Sequence, residues 1–420
     1  MPRRPALSSS PRKRYQIGTH RTLAPQDTLK RITPLLPVFG ITRVANVTGL
    51  DTIGIPVVVI ARPNARSLSV AQGKGSTLAA AQASGLMESI EFWHAERIDQ
   101  PLRFASARDM RTSRVLANLD RLPRLSVSNF SARLPILWIE GRQLHDDSPR
   151  WVPFELVHTD YRLPLPAGSG CFGMTSNGLA SGNHWLEAVI HGLCEVIERD
   201  ATALWAAGGM QARRATRVDP ATVVDAGCRA LLDRFAAAGV LVAIWHTTTD
   251  IGVPCFVCEI VEDDAHALRG LGPSAGMGCH LSAGIALSRA LTEAAQGRLT
   301  RIASSRDDLS REDYPVLANP DLLQQFREEF RMAATPVDFR EIRGYEAWHC
   351  EDDLAFLLNA LAQAGLDEAI AVDLTQPGLG IPVARVIVPG LEAAHEAPGY
   401  VPGPRAQAAH QVWQTRTPPA

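Results

Sequence analysis

Residues Cys171–Thr202 read CFGMTSNGLASGNHWLEAVIHGLCEVIERDAT. The stretch opens with small and polar turn residues and becomes a strongly patterned helix from about His184. At roughly 100° per residue, Glu187, His191, Glu195 and Glu198 share one narrow sector. Leu186, Ile190, Leu193, Cys194 and Ile197 take the opposite side, an apolar face that holds such a helix down. A solvated acidic face is the ordinary alternative. This row, however, contains no Lys, and Arg199 is its only nearby cation. Acids at i and i+3 repel, so the row costs stability unless something cationic sits over it. A divalent metal is the economical candidate.

With 420 residues, the chain can bury a large core divided into two or three subdomains. A hydrophobic content of 46% with 20% charged residues is that of an ordinary globular protein. The net charge of -2 supplies no field for nucleic acid or an anionic membrane. Apolar runs stop well short of a membrane span. The opening MPRRPALSSSPRKRY is basic without an apolar stretch, so residues 1–18 read as a disordered arm and the protein as cytoplasmic.

The seven cysteines are scattered and odd in number, which argues against a disulfide framework. Cys255 and Cys258 form a CxxC inside VPCFVCEIVE, a run with the look of a buried strand. On a strand the two thiols point to opposite faces, and no second CxxC completes a zinc site. Gly168, Gly170 and Gly173 spell GxGxxG, but no Rossmann strand precedes them. Lysine is rare, only Lys13, Lys30 and Lys74. The last lies between Gly73 and Gly75, where glycines let a ligand approach a compact ammonium. An ordinary turn with a surface lysine is the alternative. The Walker A spacing is absent.

Further elements follow in order. Pro25–Leu36 reads as helical, and Ile55–Arg62 as a strand ahead of a loop and the GKG turn. Ser76 or Thr77 caps a helix to about Arg97, in which Glu88 and Glu91 repeat the ExxE spacing of Glu195 and Glu198. Residues Leu134–His158 form a hairpin around HDDSPR. A helix over Ala221–Ala238 precedes strands at Val240–Thr247 and Val253–Val261. A third patterned helix, Ala283–Ile302, aligns Arg289, Glu293, Gln296 and Thr300. Polar helices near Leu322–Met332 and Asp353–Ala364 lead to strands at Glu368–Leu374 and Pro382–Val388. Residues 402–420 are a Pro/Ala-rich tail, expected to lack stable structure except near its tip. Three helices thus carry acids or amides on one face, the pattern of a carboxylate-based site for Mg²⁺ and a nucleotide.

In this order, the motifs GKG with ExxE, SNGxAxGN with ExxER, and TExxQxR resemble the YcaO family, ATP-dependent enzymes that activate peptide backbone amides. The resemblance runs from about Thr19 to Val401, including PVARVIVPGLE. It implies an α+β fold of mixed sheets flanked by helices, with ATP in a cleft between subdomains. It also implies that Glu88 and Glu91, with Glu187, Glu195 and Glu198, ligate Mg²⁺ bridging the nucleotide phosphates. Lys74 matches the GKG lysine, and Arg21, Thr28 and Glu293 are expected at the nucleotide. Arg199, Gln296 and Arg298 are expected in the catalytic machinery. In the family, a nucleophile adds to a peptide carbonyl and the oxyanion takes the γ-phosphoryl group of ATP. The opening GTHR…GITRVANVTGLD is similar to members encoded beside a TfuA-like partner, several of which make thioamides. The ending VWQTRTPPA lacks the alternating proline tail of many azoline-forming members. Thioamidation with a TfuA-like partner, by a homodimer, is therefore the favoured expectation. Azoline synthesis, an accessory role in ribosomal protein thiomethylation and a noncatalytic nucleotide-binding scaffold are the alternatives.

Overall fold

The computed structural model describes residues 11–263, 271–304, 319–332 and 337–415. After helix α1 (Pro25–Ile32), strands β1 (Arg43–Asn46), β2 (Val57–Ala61) and β3 (Val70–Lys74) form an antiparallel sheet in the order β1-β2-β3. Helix α2 (Leu78–Ala95) runs back across this sheet, and the Thr77 side chain caps it by accepting the Ala80 N–H. The GKG segment is thus the end of a strand rather than a turn. The run VAQGK holds too few apolar residues to show a strand period. Gly73 sets the closeness of helix and sheet: a Cβ there would lie 2.0 Å from the Ala81 carbonyl oxygen.

Strands β4 (Arg103–Ser106), β5 (Pro135–Gln143), β6 (Pro149–Pro153) and β7 (Leu179–Ser181) belong to a six-stranded antiparallel sheet. Strands β5 and β6 are the hairpin expected around HDDSPR, with Asp147 at a positive φ of 56°. Helix α3 (Trp185–Ala207) follows β7, with the His184 ring accepting the Leu186 N–H as its cap.

Helix α4 (Ala226–Ala237) leads to β8 (Val240–His246), β9 (Cys255–Glu262) and β10 (Ser274–Cys279), a second antiparallel three-stranded sheet. Helix α5 (Ala283–Ala303) covers it as α2 covers the first. The glycine device recurs: a Cβ on Gly278 would meet the Ala286 carbonyl oxygen at 2.0 Å. Cys255 belongs to the core that includes Leu193 of α3 and Cys258 to the core that includes Leu287 of α5, on opposite faces as strand geometry requires. All seven cysteines are free and buried.

Helices α6 (Pro320–Arg331) and α7 (Cys350–Gln363) precede β11 (Ile370–Asp373) and β12 (Val383–Ile387). These two strands complete the six-stranded sheet, in the order β4-β5-β11-β12-β7 with β6 beside β5. Helix α3 packs on β12 and β7 and also touches β10 and α7. It is consequently enclosed, and Glu187 and Glu198 are only 3% exposed. The acidic row faces an internal cavity rather than the outer surface.

Both ends differ from expectation. Residues 11–18 are not a disordered arm: buried Lys13 donates to both carboxylate oxygens of buried Asp353 at 2.7 and 2.9 Å. The tail contains helix α8 (Pro404–Thr415), held by Arg405 against Asp200 and Asp250. Composition concealed it, because an Ala-rich helix clamped by ion pairs needs little apolar patterning. Residues 1–10 and 416–420 lie outside the described residues. Among the described residues, no helix is long and apolar enough to cross a membrane.

Candidate functional site

Three helices and one strand converge on a cavity of about 620 Å³. Helix α2 contributes Glu88 and Glu91, and α3 contributes Glu187, His191, Glu195, Glu198 and Arg199. Helix α5 adds Arg289, Glu293, Gln296 and Thr300, and β3 adds Gln72 and Lys74. Arg21 and Thr28 close it from the N-terminal side. Each helix supplies several residues because i, i+3, i+4 and i+7 positions share a face.

The acids are held differently. One oxygen of Glu91 accepts the Ser181 N–H at 2.8 Å and its hydroxyl at 2.6 Å. Glu187 accepts the Asn183 N–H at 2.8 Å with one oxygen and the Thr22 N–H with the other. Both its oxygens are therefore engaged by backbone, and Glu187 fastens the N-terminal segment to the start of α3. The Gly178 N–H reaches Glu195 at 3.4 Å. Glu198 lies 3.6 Å from the Arg199 guanidinium, and its Oε2 is buried without a partner. Across the cavity, Lys74 is ion-paired with Glu293. Thr28 donates to the Asn183 side-chain oxygen at 3.1 Å.

Enclosure sets the charge states. Burial pushes the Glu91 carboxyl up to about 8, with the charges of Glu88 and Glu195 adding to the rise and the Ser181 hydroxyl opposing it. Burial raises Glu195 to about 7 against the pull of Arg199, and raises Glu198 in the same way. For Glu293 burial also acts upward, but Lys74 and then Arg199 more than offset it and hold this carboxyl below its usual range. Burial, then Arg289 and Arg21, keep the His191 ring neutral at physiological pH.

Among the described residues, no group of three or more His, Cys, Asp or Glu side chains is arranged to hold a metal ion unaided. The acids are spread around the cavity instead. Their chemistry nevertheless fits Mg²⁺, which takes few protein carboxylates and completes its octahedron with water and phosphate oxygens. Raised carboxyls and the orphaned Glu198 oxygen are the groups that a hard cation would satisfy.

One expected residue lies elsewhere. Arg298 does not line the cavity; it is bound to Glu262 at 2.5 Å and to Asp51 at 3.5 Å. It stands two positions beyond Gln296, roughly 200° around the helix, so it faces away. Gln72, Ser181, Asn183 and Arg289 also line the cavity, beyond the residues to which the motifs point. Arg289 was visible one turn before Glu293, and Asn183 lies in the SNGxAxGN motif. Gln72 carries no sequence signal, since VAQGK has no strand period.

An α+β protein with an oxygen-rich, carboxylate-lined cavity between its sheets is what fold and site define. The family model for YcaO cyclodehydratase, described as ATP- and Mg²⁺-binding, matches residues 72–392, and the chain belongs to the YcaO family. ATP and Mg²⁺ are the cofactors of that family. A Rhizobium leguminosarum bv. trifolii protein, described as in the tfuA 3′ region, is 38% identical over 89% of this chain and 88% of its own length. A Methanothermobacter thermautotrophicus protein is 35% identical over 89% of this chain and 95% of its own. The structure of YcaO from Methanopyrus kandleri, bound with AMPPCP and Mg²⁺, superposes with a TM-score of 0.73 at 23% identity, over 98% of this chain and all (100%) of that one. A heterocyclase in complex with substrate and cofactor gives 0.75 at 23% identity, covering 93% of this chain. The chain spans only 55% of the heterocyclase's length. These two likenesses concern the fold.

Proposed function

We propose that this chain uses ATP and Mg²⁺ to phosphorylate the oxygen of a peptide backbone amide, so that sulfur replaces that oxygen. The carrying observation is the enclosed acid set gathered with Lys74, Arg199 and Arg289 in one cavity. Glu88, Glu91, Glu195 and Glu198 would hold Mg²⁺ against the nucleotide phosphates, with Lys74, Arg21 and Thr28 at the nucleotide. Glu293 fixes the position of Lys74 through their ion pair. Arg199 and Gln296 face the same space and would stabilise the charge developing on the transferred group. Sulfide adds to the amide carbon, the resulting oxyanion takes the γ-phosphoryl group with release of ADP, and phosphate departs with the original oxygen. A thioamide, ADP and phosphate remain.

The thioamide product and a TfuA-like partner rest on the relative in the tfuA 3′ region. Azoline formation is the second reading, favoured by the family model's description as a cyclodehydratase. The test combines the purified chain with its TfuA-like partner, ATP, Mg²⁺, sulfide and peptides encoded by adjacent genes. Sulfur exchange adds about 16 Da and azoline formation removes about 18 Da, although both follow the same phosphorylation logic. Loss of water independent of sulfide would reject thioamidation.

A further inference from the structure

Strand β12 contains an anomaly. Arg385 shares its strand parity with Val383 and Ile387, both core residues, and is itself 2% exposed. Its Nη2 donates to the Thr175 carbonyl at 2.6 Å, whereas Nε and Nη1 have no partner. Buried guanidinium groups are ordinarily saturated, since a donor left unpaired keeps its full desolvation penalty. The nearby Glu392 does not serve it, because its oxygens accept from Tyr400, Gly403 and Ala406.

Arg385 lines a second cavity, of about 310 Å³. Most of its wall is apolar, including Leu125, Leu156, Met174 and Leu391. Asn177 lines it too, and the Asn177 Oδ1 is buried without a donor. Two residues of one cavity wall thus carry unpaired, buried donors and an unpaired, buried acceptor, a set complementary to the C=O and N–H of a peptide group. A carboxylate or phosphate would satisfy only the donors.

The second cavity shares a partition with the first. Ser176 and Leu179 face the acid-lined cavity, while Thr175 and Asn177 face this one. Along α3, Glu195 lines the first and Val196 the second. His395 and Glu396, between the lining residues Ala394 and Ala397, lie within electrostatic reach of Arg199 in the first cavity.

We propose that this second cavity is the subsite for the substrate backbone. There Arg385 donates to peptide carbonyl oxygens, Asn177 accepts a peptide N–H, and the apolar wall takes an adjoining side chain. The assignment rests on the peptide-modifying reading above and adds where that peptide lies.

The test is affinity-selection mass spectrometry with a pool of N-acetylated, C-amidated hexapeptides carrying apolar side chains. Wild type, Arg385→Gln, Ala394→Trp and Glu198→Gln are compared, with affinity for a non-hydrolysable ATP analogue measured alongside. Ala394 lines the second cavity, so the Trp fills it while leaving the guanidinium in place. Wild type and Glu198→Gln retain the same peptides. Arg385→Gln and Ala394→Trp retain them at least tenfold less while keeping analogue affinity within twofold. No retention by wild type, or undiminished retention by a folded Ala394→Trp or Arg385→Gln protein, overturns the subsite. Loss of analogue affinity in Arg385→Gln in step with peptide retention also overturns it, making Arg385 a counter-ion for Glu195. If Arg385→Gln does not fold, Ala394→Trp decides. Peptides retained as expected without peptide-stimulated ATP hydrolysis would refute the proposed function and leave the subsite standing.

Discussion

Glu91→Gln isolates the electrostatic debt of the cavity. Burial raises the Glu91 carboxyl from 4.5 to about 8, so the folded protein binds this proton more tightly than the unfolded chain does. The stability it contributes is complete below the unfolded value of about 4.5 and is lost as pH rises through about 8. At about 1.36 kcal/mol per pH unit, and allowing for incomplete titration at both limits, roughly 3 kcal/mol disappears between about pH 5 and 8. Glutamine does not titrate, keeps the shape and retains an oxygen for the Ser181 donors. In chelator, the wild-type protein therefore loses stability relative to Glu91→Gln by roughly that amount across the window. Mg²⁺ with a non-hydrolysable ATP analogue restores the wild type at pH 8 and does little for the variant, because a cation takes the place of the proton. The assay is urea denaturation at pH 5, 6, 7 and 8, in chelator and in Mg²⁺ with analogue. Equal pH slopes for wild type and Glu91→Gln would refute the burial argument. Equal stabilisation by Mg²⁺ and analogue would refute the ligand role.

Lys74→Ala should weaken Mg·ATP binding or turnover by tenfold or more, about 1.4 kcal/mol or above, because it removes the ammonium and exposes Glu293 to Glu198. Calorimetry and steady-state kinetics check this, and unchanged values would remove Lys74 from the site. Arg298→Ala should lower stability by about 3 kcal/mol through its broken ties to Asp51 and Glu262 while leaving the ATP KM within about twofold. Denaturant titration and kinetics separate the two effects, and loss of ATP binding without loss of stability would contradict its placement outside the cavity. Glu187→Gln should loosen the Thr22 contact more than it affects Mg²⁺ affinity, seen as faster hydrogen exchange over residues 19–24. Unchanged exchange together with lost Mg²⁺ affinity would restore Glu187 as a metal ligand.

What the sequence determined by itself was local phase. The start of α3 at His184, the single sector holding Glu187, Glu195 and Glu198, the Thr77 cap and the hairpin around HDDSPR follow from neighbours a few residues apart. Motif order pointed to the family for the same reason, since each motif is a short run. Tertiary structure alone decided which faces meet. Lys74 and Glu293 are 219 positions apart and pair because β3 and α5 are brought together across the cavity. Gln296 and Arg298 sit in one motif, yet helical rotation gives one to the cavity and the other to Asp51 and Glu262. Covering α3 around its cavity-facing row required β7, β10 and β12, and two of these, β7 and β10, do not show as strands in the sequence because they are short or glycine-rich. The raised carboxyls of Glu91 and Glu195 and the unpaired guanidinium of Arg385 depend on that enclosure. Desolvation is a property of everything packed around a group, and periodicity along one segment does not contain it.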